Sequence, residues 1–196
     1  MSLYDFGRPL VGFFFKTFYR LEIVGRDNFN GIAEKEGILL CSNHVSNFDP
    51  PAIGYACPRP LSYMAKAELF KIPLLKQLIE ALNAFPVHRG TSDRQAIKTS
   101  IRVLNEGGAL IMFPEGRRSK DGKIGEAKPG IGLLALKTTA HIVPVAVVGR
   151  YRLFGKTKII IGEPIDMTKM RENRGKPIDV ANVIMDHIKR LAATHQ

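Results

Sequence analysis

The sequence predicts an α/β layered fold, with a mostly parallel central sheet flanked by helices and an additional amphipathic helix at the N-terminus. Short apolar stretches that suit strands alternate along the chain with stretches of helical periodicity, which is the pattern of α/β proteins. Residues 109–113 are almost continuously apolar, as expected of a central strand buried on both faces. His44, Arg89 and Glu115 each follow the end of a predicted strand, where ligands gather in such sheets.

The first predicted element is a helical segment, residues 1–20, which contains five phenylalanines and three interspersed cations, Arg8, Lys16 and Arg20. This composition favours an interfacial helix, with its apolar side in lipid and its cations near phosphates. The alternative is a helix packed on the protein's own core. The segment is too short and too often charged to span a bilayer, which requires about 20 apolar residues.

The remaining chain, residues 21–196, is predicted to form a single domain. Alternating apolar residues, or short apolar runs between turn residues, indicate strands at 21–24, 38–42, 61–65, 85–87, 109–113, 142–148 and 158–161. Apolar residues at helical spacing indicate helices that start at Pro50, near Pro73, near Ser92 and near Ile131, and a last helix around 180–191. Ser92 and Gln95 fit a capping box for the third of these.

The charge balance points to an anionic partner. The chain has 196 residues, enough for one domain with a sizeable core, and 29 Lys and Arg against 18 Asp and Glu, a net charge of +11. Nucleic acid, an anionic membrane face and a phosphorylated substrate all fit this excess. We expect no nucleic-acid partner, because the sequence has no binding motif, zinc-ligand spacing or basic tail.

The two cysteines, Cys41 and Cys57, show no CxxC pairing. The N-terminus lacks the positive first region and the cleavage site of a signal peptide, so we expect reduced thiols in a protein that faces the cytosol. Cys41 lies three residues before His44 and could in principle be a nucleophile. It ends an apolar strand, however, and we expect it to point into the core.

The stretch from Asn43 to Pro50 has the clearest chemical signal, because it places His44 on a loop between a strand and a helix, with Asp49 five residues later. A neutral imidazole is a competent general base near pH 7, and a carboxylate can fix its tautomer and orientation. The alternative is that Asp49 simply caps the helix and His44 is an ordinary loop residue.

Three further blocks follow in order, at residues 85–89 (FPVHR), 113–119 (FPEGRRS) and 143–149 (VPVAVVG). Together with the first block they resemble the glycerolipid acyltransferases, and most closely the bacterial 1-acyl-sn-glycerol-3-phosphate acyltransferases. The first block matches the family pattern NHxSxxDP at every fixed position. The third matches FPEGTRS, except that Arg117 replaces the threonine. The resemblance covers a little over half of the chain.

This resemblance implies an enzyme without a cofactor that transfers an acyl group from acyl-CoA or acyl-carrier protein to the sn-2 hydroxyl of 1-acylglycerol 3-phosphate, forming phosphatidic acid. Residues 21–196 would then be the acyltransferase domain. His44 would be the general base and Asp49 would hold its ring, an arrangement like the serine-hydrolase pair with the substrate's own hydroxyl in place of serine.

The resemblance also implies a set of substrate-binding residues. Arg89 and Arg118 match the family's phosphate-binding arginines, and Lys66 matches a further basic position. Glu115 and Gly116 shape the third block, and we expect Glu115 to contact the glycerol hydroxyls, since it would repel a phosphate. Arg117 is expected either to face solvent or to add a phosphate contact.

These observations together predict a peripheral enzyme on the cytoplasmic face of the cell membrane, with lysophosphatidic acid as its lipid substrate. Within the same family, glycerol 3-phosphate or another lysophospholipid is the alternative acceptor. Outside the enzymes, the alternative is a non-catalytic basic protein that binds membranes or nucleic acid.

Overall fold

The computed structural model describes residues 3–88, 93–119 and 121–195, and of the segment 3–6 only the backbone. Its strands form a single seven-stranded sheet in the order β1-β7-β6-β2-β5-β3-β4. The strands are β1 (Leu21–Val24), β2 (Ile38–Ser42), β3 (Leu61–Lys66), β4 (Ala84–Val87), β5 (Ala109–Met112), β6 (His141–Gly149) and β7 (Thr157–Ile161). Every neighbouring pair is parallel except β6 and β7. The prediction of a mostly parallel α/β sheet is therefore confirmed.

Helices cover both faces of this sheet. They are α1 (Leu3–Tyr19), α2 (Asp49–Ala56), α3 (Pro73–Ala81), α4 (Arg94–Asn105), α5 (Pro129–Lys137), α6 (Thr168–Glu172) and α7 (Pro177–Ala193). Single 3-10 turns occupy Arg26–Phe29 and Ala67–Lys71. The sequence did not predict the short α6. The N-cap of α4 is Asp93 rather than Ser92, which lies outside the described residues.

The two faces of the sheet can be distinguished at β2, whose successive side chains point to opposite sides. Ile38 and Leu40 pack with α1 and α2 in one apolar cluster, and this side is called the α2 face. Leu39 and Cys41 pack with α5 and α7 in another, on the α7 face. Every residue of β2 is buried, which explains why its sequence is apolar without alternation.

Helix α1 packs on the core and also exposes a large apolar surface. Phe15 is only 2% exposed and belongs to the cluster on the α2 face, whereas Leu10 and Phe13 are 64% and 66% exposed. One side of the helix therefore packs on the core, as the alternative expected, and contact of the exposed side with lipid stays a prediction. Among the described residues, no helix is long and apolar enough to cross a membrane.

The parallel pairing of β2, β3, β4 and β5 places the C-terminal ends of these strands along one edge of the sheet. The loop 43–48 follows β2, Lys66 ends β3, and the loop that begins at Phe113 follows β5. The topology therefore brings most of the predicted site residues to one edge.

Candidate active site

The loop between β2 and α2, residues 43–48, is called the catalytic loop because it carries His44, the predicted general base. Hydrogen bonds to backbone atoms fix it to its surroundings. The Asn43 side chain donates to the Val147 carbonyl at 3.0 Å and accepts from the Val147 N–H at 2.8 Å, in a fully buried pairing with β6. The Ser119 N–H donates to the His44 carbonyl at 2.7 Å, which ties the loop to the segment after β5. These contacts hold the backbone on both sides of His44.

His44 and Asp49 form a hydrogen-bonded pair, with 2.7 Å between Nδ1 and Oδ2. Asp49 is fully buried, and the His44 side chain is 13% exposed. The same Asp49 oxygen accepts the N–H groups of Val45 and Ser46, each at 2.7 Å. Its hydrogen bonds thus go to the loop and the imidazole, so Asp49 is not a simple helix cap.

This geometry determines what the imidazole can do. A carboxylate at Nδ1 holds the proton on that nitrogen, which leaves Nε2 with a free lone pair to accept a proton. The ring stacks on Phe113, with centroids 4.0 Å apart and 17° between the planes, so its orientation is fixed from a second side. The pair is therefore arranged for general-base catalysis.

Glu115 lies behind this loop and is only 5% exposed. Burial raises the pKa of the Glu115 carboxyl group above its ordinary value, although the nearby backbone amides of His44 and Gly125 lower it. Gly116 turns the chain immediately afterwards with a φ of +68°, a conformation that favours glycine. The carboxyl group thus adjoins the backbone of the catalytic loop, and its expected contact with substrate stays a prediction.

The predicted cations differ in their placement. Arg118 reaches the catalytic loop, where one of its guanidinium N–H groups donates to Asn47 Oδ1 at 2.6 Å. Arg117 is exposed to solvent, and a contact with phosphate stays a prediction. Lys66 lies on the same sheet edge with its ammonium 3.2 Å from Glu68. Arg89 lies outside the described residues.

Sequence reasoning assigned no role to several residues that form the site. Asn43 occupies a fixed position of the first block, which was a usable signal, whereas Asn47 occupies a variable position of that pattern. Phe113 is the first residue of the third block, FPEGTRS, but a phenylalanine at the end of an apolar strand also suits the core, so its stacking on His44 was not predicted. Cys41 is fully buried with its thiol pKa raised by burial, which agrees with its expected place in the core.

A cavity of about 760 Å³ opens beside the catalytic loop. The loop residues Val45 and Ser46 form one side of it, and β6 with the segment that follows forms another. Two cations, Lys123 and Arg150, and one carboxylate, Asp121, also line it. The cavity therefore has more cations than carboxylates in its lining and adjoins the loop that carries His44.

The parallel sheet and the His–Asp loop at its edge define the chain as a member of the acyltransferase family, whose family model matches residues 20–148. Among curated relatives, the chain is 31% identical over 166 residues to a 1-acyl-sn-glycerol-3-phosphate acyltransferase of Streptococcus pneumoniae, covering 81% of this chain and 61% of the relative. A Bacillus subtilis protein of the same name is 33% identical over 144 residues, covering 70% and 71% of the two chains.

A solved structure agrees with these sequence relatives. The 1-acyl-sn-glycerophosphate acyltransferase PlsC from Thermotoga maritima superposes with a TM-score of 0.70 at 27% identity, covering 97% of this chain and 78% of that one. The chain spans 61% of the Streptococcus relative and 45% of a chloroplast relative from Arabidopsis thaliana. The predicted family and fold are thus confirmed.

Proposed function

We propose that this protein transfers a fatty acyl group from an acyl thioester to the sn-2 hydroxyl of 1-acylglycerol 3-phosphate, forming phosphatidic acid. The observation that carries the proposal is the 2.7 Å hydrogen bond from His44 to the buried Asp49, on a loop at the C-terminal edge of the sheet. The names of the Streptococcus, Bacillus and Thermotoga relatives support this acceptor.

The mechanism begins with the acceptor hydroxyl, which is almost un-ionised at pH 7. His44 Nε2 takes its proton as the oxygen attacks the thioester carbonyl, and Asp49 stabilises the resulting imidazolium. The tetrahedral intermediate then collapses, the carbon–sulfur bond breaks, and the imidazolium returns the proton to the leaving thiolate. A general base of this kind contributes about 10²- to 10⁴-fold to the rate.

Substrate recognition in this proposal depends on cations around the loop. Arg118 and Arg89 would pair with the acceptor phosphate, since guanidinium binds phosphate through two parallel hydrogen bonds, and Lys66 would add a point charge. Glu115 and Gly116 would shape the glycerol site. Lys123 and Arg150 in the neighbouring cavity suit the phosphates of acyl-CoA or the acidic surface of acyl-carrier protein.

The proposal includes a peripheral location on the cytoplasmic face of the membrane, with residues 1–20 as the interfacial segment and 21–196 as the acyltransferase domain. It is supported by an exposed apolar surface, called the α1 patch, formed by Leu10, Phe13, Phe14, Phe18, Leu153 and Phe154. The Phe154 N–H donates to the Phe18 carbonyl at 2.7 Å, so the two parts of the patch adjoin. The net charge of +11 suits an anionic leaflet.

The test is to incubate the purified protein with lysophosphatidic acid and a long-chain acyl-CoA, wild type beside His44→Ala, and to follow release of free thiol. We expect release by the wild type and loss of at least about 10²-fold in the variant, because the general base is gone. Thin-layer separation of the lipids then identifies phosphatidic acid as the product.

The other outcomes are also decisive. Release by both proteins would contradict the role of His44 as the base. Release by neither, with acyl-CoA or with acyl-carrier protein as donor, would contradict this acceptor, and the same assay with glycerol 3-phosphate or another lysophospholipid would then test the alternative acceptors within the family.

A further inference from the structure

Two buried polar atoms next to the His–Asp pair have no hydrogen bond of good geometry. In the described part of the chain, Asp49 Oδ1 and the Tyr151 hydroxyl are both inaccessible to solvent, and neither makes a hydrogen bond that satisfies the usual limits of both distance and angle. Asp49 uses only its other oxygen for His44, Val45 and Ser46. A buried polar group without a partner is costly, so the unpaired Oδ1 calls for an explanation.

The two groups are neighbours. Burial raises the pKa of the Tyr151 phenol, and the Asp49 carboxylate raises it further, both by its negative charge and because it lies close enough to accept a hydrogen bond from the phenol. The phenol therefore keeps its proton over the physiological range, and an oxygen that carries a proton beside a carboxylate can serve as its hydrogen-bond donor.

The ring of Tyr151 is held in place by aromatic side chains. It meets Phe15 and Tyr19 of α1 edge to face, with centroids 5.8 Å and 5.9 Å away, and Phe48 of the catalytic loop at 5.7 Å. Such edge-to-face contacts favour one orientation of the ring. The packing of the ring thus fixes the position of the hydroxyl oxygen.

We propose that Tyr151 is a positioning residue, whose hydroxyl donates a hydrogen bond to Asp49 Oδ1 and fixes the carboxylate that orients His44. The effect of this hydrogen bond on catalysis rests on the proposed function. The hydrogen bond itself is independent of the substrate. Tyr151 lies beyond residues 20–148, which the family model matches.

The bond would have two consequences. It fixes the plane of the Asp49 carboxylate, so that Oδ2 stays aligned with His44 Nδ1. It also withdraws part of the carboxylate's negative charge, so that Asp49 stabilises the imidazolium less strongly than it otherwise would. Loss of the hydroxyl would therefore misalign the His44 imidazole. It would also keep His44 protonated up to a higher pH.

The kinetic test is Tyr151→Phe, which keeps the ring and removes the hydroxyl. We expect kcat to fall about three- to tenfold, the size of one hydrogen bond, with the KM for lysophosphatidic acid unchanged. The acidic limb of the pH–rate profile should move to higher pH. The matched control is Tyr19→Phe, which removes a hydroxyl from the same aromatic cluster and should leave the pH profile in place. A Tyr151→Phe profile identical to wild type would overturn the proposal.

A second test needs no activity and so separates this inference from the proposed function. A hydrogen bond to a carboxylate is stronger than one to a neutral amide, so Tyr151→Phe should lower the Tm by about 4 to 8 °C in the wild type and by less than half of that in an Asp49→Asn background. Equal shifts in the two backgrounds, or no shift in either, would mean that the hydroxyl does not act through Asp49.

Discussion

Glu115 belongs to the third block, and its carboxyl group lies against the backbone of His44 and Gly125. Its carboxyl group is buried, and one of its oxygens, Oε1, has no hydrogen-bond partner. Burial raises its pKa, so folding favours the protonated form. The ionised carboxylate therefore lowers the stability of the folded protein at neutral pH. A group that lowers stability fits a functional role better than a structural one.

The first prediction concerns the pH dependence of this cost. Glu115→Gln imitates the protonated form, so its stability relative to the wild type should increase as pH rises above 4.5, the ordinary value for Glu, and level off beyond the raised pKa. Urea unfolding between pH 4 and pH 8 measures this difference. The exposed neighbour Glu126→Gln is the control. A difference that does not change with pH would contradict the prediction.

The second prediction separates two adjacent arginines. Both side chains are exposed, but Arg118 contacts the catalytic loop through Asn47, whereas Arg117 makes no such contact with that loop among the described hydrogen bonds. Arg118→Ala should raise the KM for lysophosphatidic acid about tenfold or more with little change in kcat, because a charged hydrogen bond to the phosphate is lost. Arg117→Ala should change neither. Equal effects of the two substitutions on KM would remove Arg118 from the phosphate site.

At the residue scale, the sequence predicted the local His–Asp pair, but it did not predict the long-range contacts around that pair. His44 on the loop and Asp49 at the start of α2 are only five residues apart, so local spacing was enough to predict that they meet. The pairing of Asn43 with Val147 joins residues 104 positions apart, and the contact of Arg118 with Asn47 joins residues 71 apart. Such contacts depend on which strands become neighbours, and local patterns carry no information about that.

At the scale of the elements, α4 illustrates a cap that the sequence placed one residue too early. Asp93 accepts the Ala96 N–H at 2.9 Å, and it also accepts the His88 N–H at 2.8 Å, so it joins the start of α4 to the end of β4. These hydrogen bonds, the Ala96 amide first, lower the pKa of Asp93 to about 2. Ser and Asp are both good N-caps, so composition alone did not distinguish them.

The third prediction follows from this cap. Asp93→Ala should lower the free energy of unfolding by about 1 kcal/mol at pH 7, whereas Asp93→Asn, which can still cap the helix, should cost less. Since the folded-state pKa is lowered, the wild type's advantage over Asp93→Ala should be complete above pH 4 and disappear as pH falls towards 2. Urea unfolding over this range checks it. An Ala variant as stable as wild type at pH 7 would show that the cap is unimportant.

Predicted and observed elements agree where the sequence pattern is clear. Strands β1 and β2 both have the predicted bounds: β2 is fully buried and leaves an apolar run, whereas β1 is a partly buried edge strand whose residues alternate. Helix α6 has five residues, none of them buried, so it carries no apolar periodicity that could have revealed it. The antiparallel pairing of β6 and β7 had a local signal that was not used, because residues 150–156 are too few for the crossover that a parallel pair requires.

At the scale of the whole molecule, the α1 patch and the catalytic loop are related by the fold. Helices α1 and α2 share one apolar cluster on the α2 face, and His44 and Asp49 lie at the N-terminal end of α2. Phe48 of the catalytic loop meets Phe14 and Phe15 of α1, with ring centroids 6.4 Å and 5.8 Å away. A lipid surface that bound α1 would therefore lie close to the loop that holds His44, the proposed general base.

The fourth prediction tests whether the α1 patch binds membranes. The double variant Phe13→Ser, Phe154→Ser removes two exposed aromatic side chains, 66% and 62% accessible, without touching the buried Phe15. Binding to vesicles of anionic phospholipid should weaken at least about tenfold, because the apolar area that enters the lipid is lost. Co-sedimentation at low and high salt measures it, and high salt should weaken the wild type by screening its net charge of +11.

The matched control for this variant is Ile178→Ser, which removes an apolar side chain, 39% exposed, from α7 on the other face of the sheet. It should bind vesicles as the wild type does, because only the α2 face is expected to meet lipid. If the double variant bound as well as wild type, the patch would not be the contact with the membrane. If Ile178→Ser lost as much binding as the double variant, lipid binding would not be confined to the α2 face. The proximity of α1 to the catalytic loop would then no longer explain how the site reaches a substrate held in the bilayer.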